Sequence, residues 1–208
     1  FEEVAHLLIY GELPNQQQLK IYLAKLKKVR DLPHELKLVL ENIPKNTHPM
    51  DVMRTGCSML GTLEPESNER NIDQARNIAD RLISSFGSML IYWYKYSHEG
   101  IKLNLNTNED TIAGHFLSLL HNKKPSKLHE KVMNTSLVLY AEHEFNASTF
   151  ASRVIAGTLS DFYSSVTGAI GALRGSKHGG ANEAAMEIIS RYQSPDEAEK
   201  DIRERMAL

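Results

Sequence analysis

Apolar residues recur along this chain every three or four positions, and no long alternating run argues for a strand, so the pattern predicts an all-α fold. Phe1, Val4, Leu7 and Leu8 form a first stripe that Gly11 and Pro14 terminate. Leu19, Tyr22, Leu23 and Leu26 form the next, with Asn15 placed to cap it, because its side-chain oxygen can accept from an unpaired amide of the first turn. Pro33 suits the first turn of a third helix through Leu36, Val39, Leu40 and Ile43, which Pro44 ends. After His48-Pro49-Met50-Asp51, the segment from Val52 to Leu60 carries Gly56, Cys57 and Ser58, small residues that let a second helix come close. Residues 62–71 are polar, contain Pro65 and read as a loop.

The longest uninterrupted stripe runs from residue 72 to about 97 through Ile78, Leu82, Phe86, Leu90 and Trp93, and it belongs in the core or at a subunit contact. A turn-rich connection over 101–108 precedes a short helix with Ile112, Phe116 and Leu119. Beyond the break at Lys123-Lys124-Pro125-Ser126, a helix through Val132, Leu137 and Tyr140 is expected to run into His143. Asn146 can cap the following helix, which carries Phe150, Val154 and Ile155. Another starts at Ser160-Asp161 and ends at Arg174-Gly175; its Gly168-Ala169-Ile170-Gly171-Ala172 suits close helix packing. Ser194-Pro195-Asp196-Glu197 offers Pro at the first helical position and a Ser/Glu capping box. The chain opens in mid-stripe at Phe1 and stops at Leu208 inside a charged helical pattern, so both ends read as cut.

Composition narrows the partners. The 208 residues suffice for one large domain and part of a second. The formal charge is −2 with basic residues scattered, so no footprint for nucleic acid or an anionic membrane stands out, and a small molecule or protein partner is expected. No apolar run reaches the roughly eighteen residues that a membrane-spanning helix needs, and a soluble chain is expected. Cys57 stands alone, which excludes an internal disulfide and a multi-cysteine metal site, fits a reducing compartment and reads as buried packing.

Two stretches concentrate the candidate chemistry. Of the nine histidines, His6, His34, His98, His121 and His129 read as solvated or satisfied side chains, while His48 and His115 stay open. His143-Glu144 has the start of a zinc-protease helix motif, but the second ligand position holds Ala147, so no metal site is expected. A Ser/His/acid triad drawn from Ser148 and His178 lacks both a Gly-x-Ser-x-Gly elbow and a strand to carry one. Gly179 and Gly180 leave bare backbone beside His178, and a helix starts there. The positive end of that helix disfavours imidazolium, which leaves a neutral ring able to donate one hydrogen bond to a carbonyl. The alternative is a glycine-flanked turn with an incidental histidine. Glu142 and Glu144 favour a charged His143 where they lie near its ring, and such a group suits a carboxylate ligand. Ser148 can aim its hydroxyl at a neighbouring histidine; alternatively Asn146 and Ser148 only satisfy backbone donors.

Three stretches carry a resemblance. His48-Pro49-Met50-Asp51-Val52-Met53-Arg54-Thr55-Gly56, the run from Tyr140 to Phe150 around Glu142-His143-Glu144-Phe145-Asn146-Ala147-Ser148, and Gly168 to Glu183 with Lys177-His178-Gly179-Gly180-Ala181-Asn182-Glu183 resemble the citrate synthase family from Phe1 to about Arg205. Leu90-Ile91-Tyr92-Trp93-Tyr94 and Leu137 to His143 are most similar to its 2-methylcitrate-forming branch. The resemblance implies a mostly helical homodimer of a large and a small domain, here residues 1–175 and the start of the small domain at 176–208. It implies that His178 is the catalytic histidine that hydrogen-bonds an acyl-CoA thioester carbonyl, and that His143 and Asn146 bind oxaloacetate. Ser148 would orient His178.

The implied reaction is a Claisen-type condensation without a tightly bound cofactor, giving 2-methylcitrate from propionyl-CoA or citrate from acetyl-CoA, in a bacterial cytoplasm or a mitochondrial matrix. Tyr140 is the candidate for shaping the acyl pocket; Lys95 and Lys177 are weaker candidates for coenzyme A phosphates. The family's second catalytic histidine, its aspartate base and its oxaloacetate-clamping arginines would follow residue 208, so these residues alone are not expected to turn over. A helical interaction scaffold without chemistry is the competing reading.

Overall fold

In a computed structural model that describes residues 1–67 and 71–207, the long apolar stripe becomes α5 (Ile72–Glu99), the spine on which the other helices are laid. Asn71 caps its start by accepting from Gln74 N, and Gly100 at φ 70 stops it in the left-handed conformation that glycine adopts without steric cost. The side chains of Leu82, Met89, Ile91, Tyr92 and Trp93 are buried along it. Against them pack Leu36 and Leu40 of α3 (His34–Glu41) and Val52, Cys57 and Leu60 of α4 (Pro49–Leu63). Leu119 of α6 (Ile112–His121) and Tyr163 and Ile170 of α9 (Phe162–Leu173) complete this core. A smaller cluster of Ala5, Tyr22 and Leu26 joins α1 (Glu2–Tyr10) to α2 (Gln16–Lys28). The remaining helices are α7 (Lys127–Leu139), α8 (Ala147–Gly157), α10 (Gly179–Ile189) and α11 (Pro195–Met206), and among the described residues there is no strand.

Small residues set the close approaches. A Cβ on Gly56 would meet Met89 Sδ at 3.0 Å, and one on Gly61 would lie 2.5 Å from Tyr163 Cβ, so α4 passes close to α5 and α9. The glycine-rich run of α9 serves the same end: a Cβ on Gly168 would lie 2.1 Å from Ile155 Cδ1 of α8. Cys57 is fully buried, with Sγ 3.7 Å from the Tyr163 carbonyl oxygen, in the packing role expected of it.

Several boundaries differ from the sequence pattern for local reasons. Pro33 is the N-cap of α3, extended at ψ 150, and Ile43 lies past the end of that helix while still packing on the core. Helix α7 ends at Leu139 with Tyr140 as its C-cap, so it does not run into His143 as the apolar spacing suggested. Residues 68–70 of the expected loop, and Leu208, lie outside the described residues. In the capping box before α11, Ser194 accepts from Glu197 N as expected, but the Glu197 carboxylate accepts from Gln193 N. The turn-rich connection after α5 is pinned by Arg30, which donates to the carbonyl oxygens of Thr107 and Glu109, the latter at 2.7 Å.

Candidate active site

The two histidine stretches flank the helix pair α8 and α9. Asn146 caps α8: its Oδ1 accepts from Thr149 N at 2.7 Å, which satisfies one of the unpaired amides of the first turn. Ser148, in that first turn, does not cap; its Oγ lies 2.8 Å from Nε2 of His178, 30 residues further along the chain. The side-chain oxygen of Asn146 therefore satisfies a backbone donor, whereas that of Ser148 lies against the His178 ring.

His178 sits at the N-cap of α10 with φ −136 and ψ −114 and makes no side-chain cap bond, which leaves its ring free to engage Ser148. The turn behind it is tightly wound. His178 N and Gly180 N both donate to Gly175 O, at 2.9 and 3.1 Å. A Cβ on Gly179 would fall 2.4 Å from the Leu173 carbonyl oxygen, so glycine is required there by space rather than by backbone angle.

His143 lies in the connection between Tyr140 and Asn146 and is exposed. Glu144 adopts φ 40, an uncommon left-handed conformation for a residue with a side chain. The Glu142 carboxylate accepts from Glu144 N, and Asn146 N donates to Glu144 O, so Glu142 serves its own backbone turn. Phe145 projects into solvent at 98% exposure.

Beside the His178 turn opens a cleft of about 400 Å³ lined by His48, Met50, Tyr140, Leu173, Gly179 and Glu183, among others. Tyr140, 79% exposed as the C-cap of α7, thus borders the same glycine turn as His178. Lys95 is ion-paired with Glu99 at 2.7 Å on α5, and Lys177 is exposed in the turn. Among the described residues no group of three or more His, Cys, Asp or Glu is gathered as a metal ion would need, and no helix is long and apolar enough to cross a membrane.

The structure adds residues that the sequence did not single out for the site. His48 caps α4 by accepting from Met50 N, and its Nε2 reaches Glu183 Oε2 at 3.0 Å. That bond, with a smaller contribution from the Arg174 charge, holds the Glu183 carboxyl below its usual range. Asp51 lies between Arg54 and Arg174, at 3.1 and 3.5 Å. His48 and Asp51 stand in a stretch that carries the resemblance, but Glu183 is 135 residues from His48, and no local pattern joins them.

Comparisons with known proteins match this chain to one family. The family model described as "Citrate synthase, C-terminal domain" matches residues 1–208. A 2-methylcitrate synthase of Shewanella oneidensis is 61% identical over 189 residues, 91% of this chain and 50% of that protein. A citrate synthase of Heyndrickxia coagulans is 38% identical, over 92% of this chain and 51% of its own length. Among solved structures, a citrate synthase from Thermoplasma acidophilum in ternary complex with carboxymethyl coenzyme A and oxaloacetate is 30% identical, with a TM-score of 0.87 over 96% of this chain and 52% of that one. The chain spans about half the length of the relatives it matches.

Proposed function

Since this chain belongs to the citrate synthase family, we propose that it forms part of a condensing enzyme that joins an acyl-CoA to oxaloacetate, with propionyl-CoA as the preferred donor and 2-methylcitrate as the product. The observation that carries the reading is the 2.8 Å contact between Ser148 Oγ and His178 Nε2, made in a turn that the family resemblance assigns to catalysis. When the serine hydroxyl donates to Nε2, the neutral ring holds its single proton on Nδ1. That N–H is directed at the thioester carbonyl oxygen, where negative charge gathers as a carboxylate removes a proton from the adjacent carbon. Such a preorganised donor lowers the barrier by about 3 kcal/mol.

The enol carbon then attacks the ketone carbon of oxaloacetate, whose oxygen takes up a proton. Water cleaves the thioester and releases the coenzyme A thiol. His143 and Asn146 bind oxaloacetate in this reading, and Tyr140, on the wall of the cleft beside Gly179 and Gly180, shapes the acyl end. The preference for propionyl-CoA is supported by the 61% identity to a 2-methylcitrate synthase.

Two further elements of the reading follow from exposure. Helices α10 and α11 bury no residue and, unlike α7 on α6 and α8 on α9, pack closely along no other helix among the described residues, which supports residues 176–208 as the beginning of a smaller domain and 1–175 as the larger one. Leu128, Val132, Leu139 and Phe150, all more than half exposed, form apolar faces on α7 and α8 that a second copy in a homodimer would cover.

Thiol release by the full-length protein with oxaloacetate and each acyl-CoA tests the proposal. Faster turnover of propionyl-CoA is expected, and one methylene in an apolar pocket sets the margin at roughly 10- to 200-fold. Thiol release with neither donor would end the reading, and faster release with acetyl-CoA would move the protein to the citrate-forming branch.

A further inference from the structure

Helix α10 buries no residue of its own, so polar contacts at its start have a large share in fixing its direction. Two contacts from the start of α4 fall on either side of His178, one on the end of α9 and one on α10. Before it, Asp51 Oδ2 lies 3.5 Å from Nε of Arg174, the C-cap residue of α9. That Nε is buried and has no hydrogen bond, so the carboxylate is its nearest compensation. After it, His48 Nε2 lies 3.0 Å from Glu183 Oε2 on α10.

The His48 ring serves both of its neighbours in one protonation state. Nδ1 accepts from Met50 N at 3.1 Å, so the ring proton sits on Nε2 and is donated to Glu183. One side chain thus caps α4 and ties α10 to it. Loss of the tie frees α10 to swing about the Gly179-Gly180 turn, and His178 stands at the root of that turn.

We propose that His48 is a positioning residue for His178: acting through Glu183, it fixes the start of α10 and with it the aim of the His178 ring. The proposal rests on the reading of His178 as the catalytic histidine. Both side chains of the tie are partly exposed, at 23% and 56%, so little stability is at stake, while a misplacement of about 1 Å in a reacting group can cost on the order of 100-fold in rate.

The test uses the full-length protein and the variants His48→Asn, Glu183→Ala and Glu183→Gln. Asparagine keeps a cap on α4 but is too short to reach Glu183; glutamine keeps an acceptor for the His48 N–H. Expected are kcat values about tenfold lower for His48→Asn and Glu183→Ala, with KM within about twofold of wild type, near-wild-type turnover for Glu183→Gln, and a double variant no slower than either single one. Hydrogen exchange over residues 175–190 is read in parallel and is expected to quicken in Glu183→Ala. Unchanged exchange, unchanged kcat in Glu183→Ala, or a double variant whose loss is the product of the two singles would overturn the proposal. Wild-type protein that releases no thiol would instead remove the catalytic reading, and exchange alone would then decide whether the tie holds α10.

Discussion

Ser148 Oγ stands 2.8 Å from His178 Nε2, so the first turn of α8 and the turn into α10 meet through one hydroxyl and one imidazole nitrogen. In the proposed reaction the contact fixes which ring nitrogen is left for the thioester carbonyl. Ser148→Ala removes it without touching the cap of α8, which belongs to Asn146. In the full-length protein kcat is expected to fall about tenfold, in line with one aligned hydrogen bond of roughly 1–1.5 kcal/mol, with the melting temperature unchanged. Steady-state thiol release checks this, and a kcat equal to wild type would show that the serine does not hold the ring.

Asp80 has no exposed surface, and it accepts from Tyr22 at 2.8 Å, Tyr10 at 2.7 Å and Lys25 at 2.5 Å. Burial, and after it the Asp80 carboxylate that accepts its hydroxyl proton, push the Tyr22 phenol well up, which keeps it a proton donor across the accessible pH range. Asp80→Ala leaves two phenols and an ammonium facing an empty site. A destabilisation of about 3 kcal/mol is expected, at the low end for a broken buried pair because the Lys25 side chain is 35% exposed. Urea denaturation gives the value, and a loss below about 1 kcal/mol would mean that water replaces the carboxylate at little cost.

His115 is 2% exposed, with Ser88 Oγ and Thr107 Oγ1 each 3.0 Å from a ring nitrogen. Burial, and secondarily the nearby Arg30 charge, push its imidazole down to about 3. The unfolded chain, with an ordinary histidine near 6.5, therefore binds the proton first as the pH falls. The stability due to the neutral ring is full above about pH 6.5 and declines by at most ~1.4 kcal/mol per unit between there and about pH 3. His115→Gln should flatten this limb. Urea midpoints of both proteins at pH 7.5, 6 and 5 test it, and parallel slopes would show that His115 is not the group responsible.

How far the sequence reached depended on how local the determining contacts are. The caps by Asn15, Asn146 and Ser194 were legible because donor and acceptor lie within one turn of each other. The end of α7 was not, since the apolar spacing continues through Tyr140 whereas the backbone leaves the helix there and then turns through the left-handed Glu144, for which glutamate carries no signal. At the site, a hydroxyl aimed at a histidine could be anticipated for Ser148. The His48 to Glu183 bond could not, because it links residues 135 positions apart on helices that only the fold brings together. Arg30 shows the same limit in the core: nothing near it in sequence announces that it holds the backbone at 107 and 109.

Two glycine substitutions separate packing from helix propensity. Alanine is favoured over glycine inside a helix by about 1 kcal/mol wherever its methyl group has room. At Gly157, near the end of α8, an added Cβ meets nothing within 4 Å, so Gly157→Ala is expected to stabilise the protein by about 0.5–1 kcal/mol. At Gly61 the same methyl group would lie 2.5 Å from Tyr163 Cβ and 2.8 Å from Cγ, far inside contact distance. Tyr163 is itself 3% exposed against the core, so it has little space to retreat, and α4 must shift from α9. Overpacking of this kind costs about 1–3 kcal/mol, which outweighs the gain in propensity. Melting curves should therefore move in opposite directions for the two variants. A Gly61→Ala protein as stable as Gly157→Ala would mean that α4 and α9 are less closely packed than this.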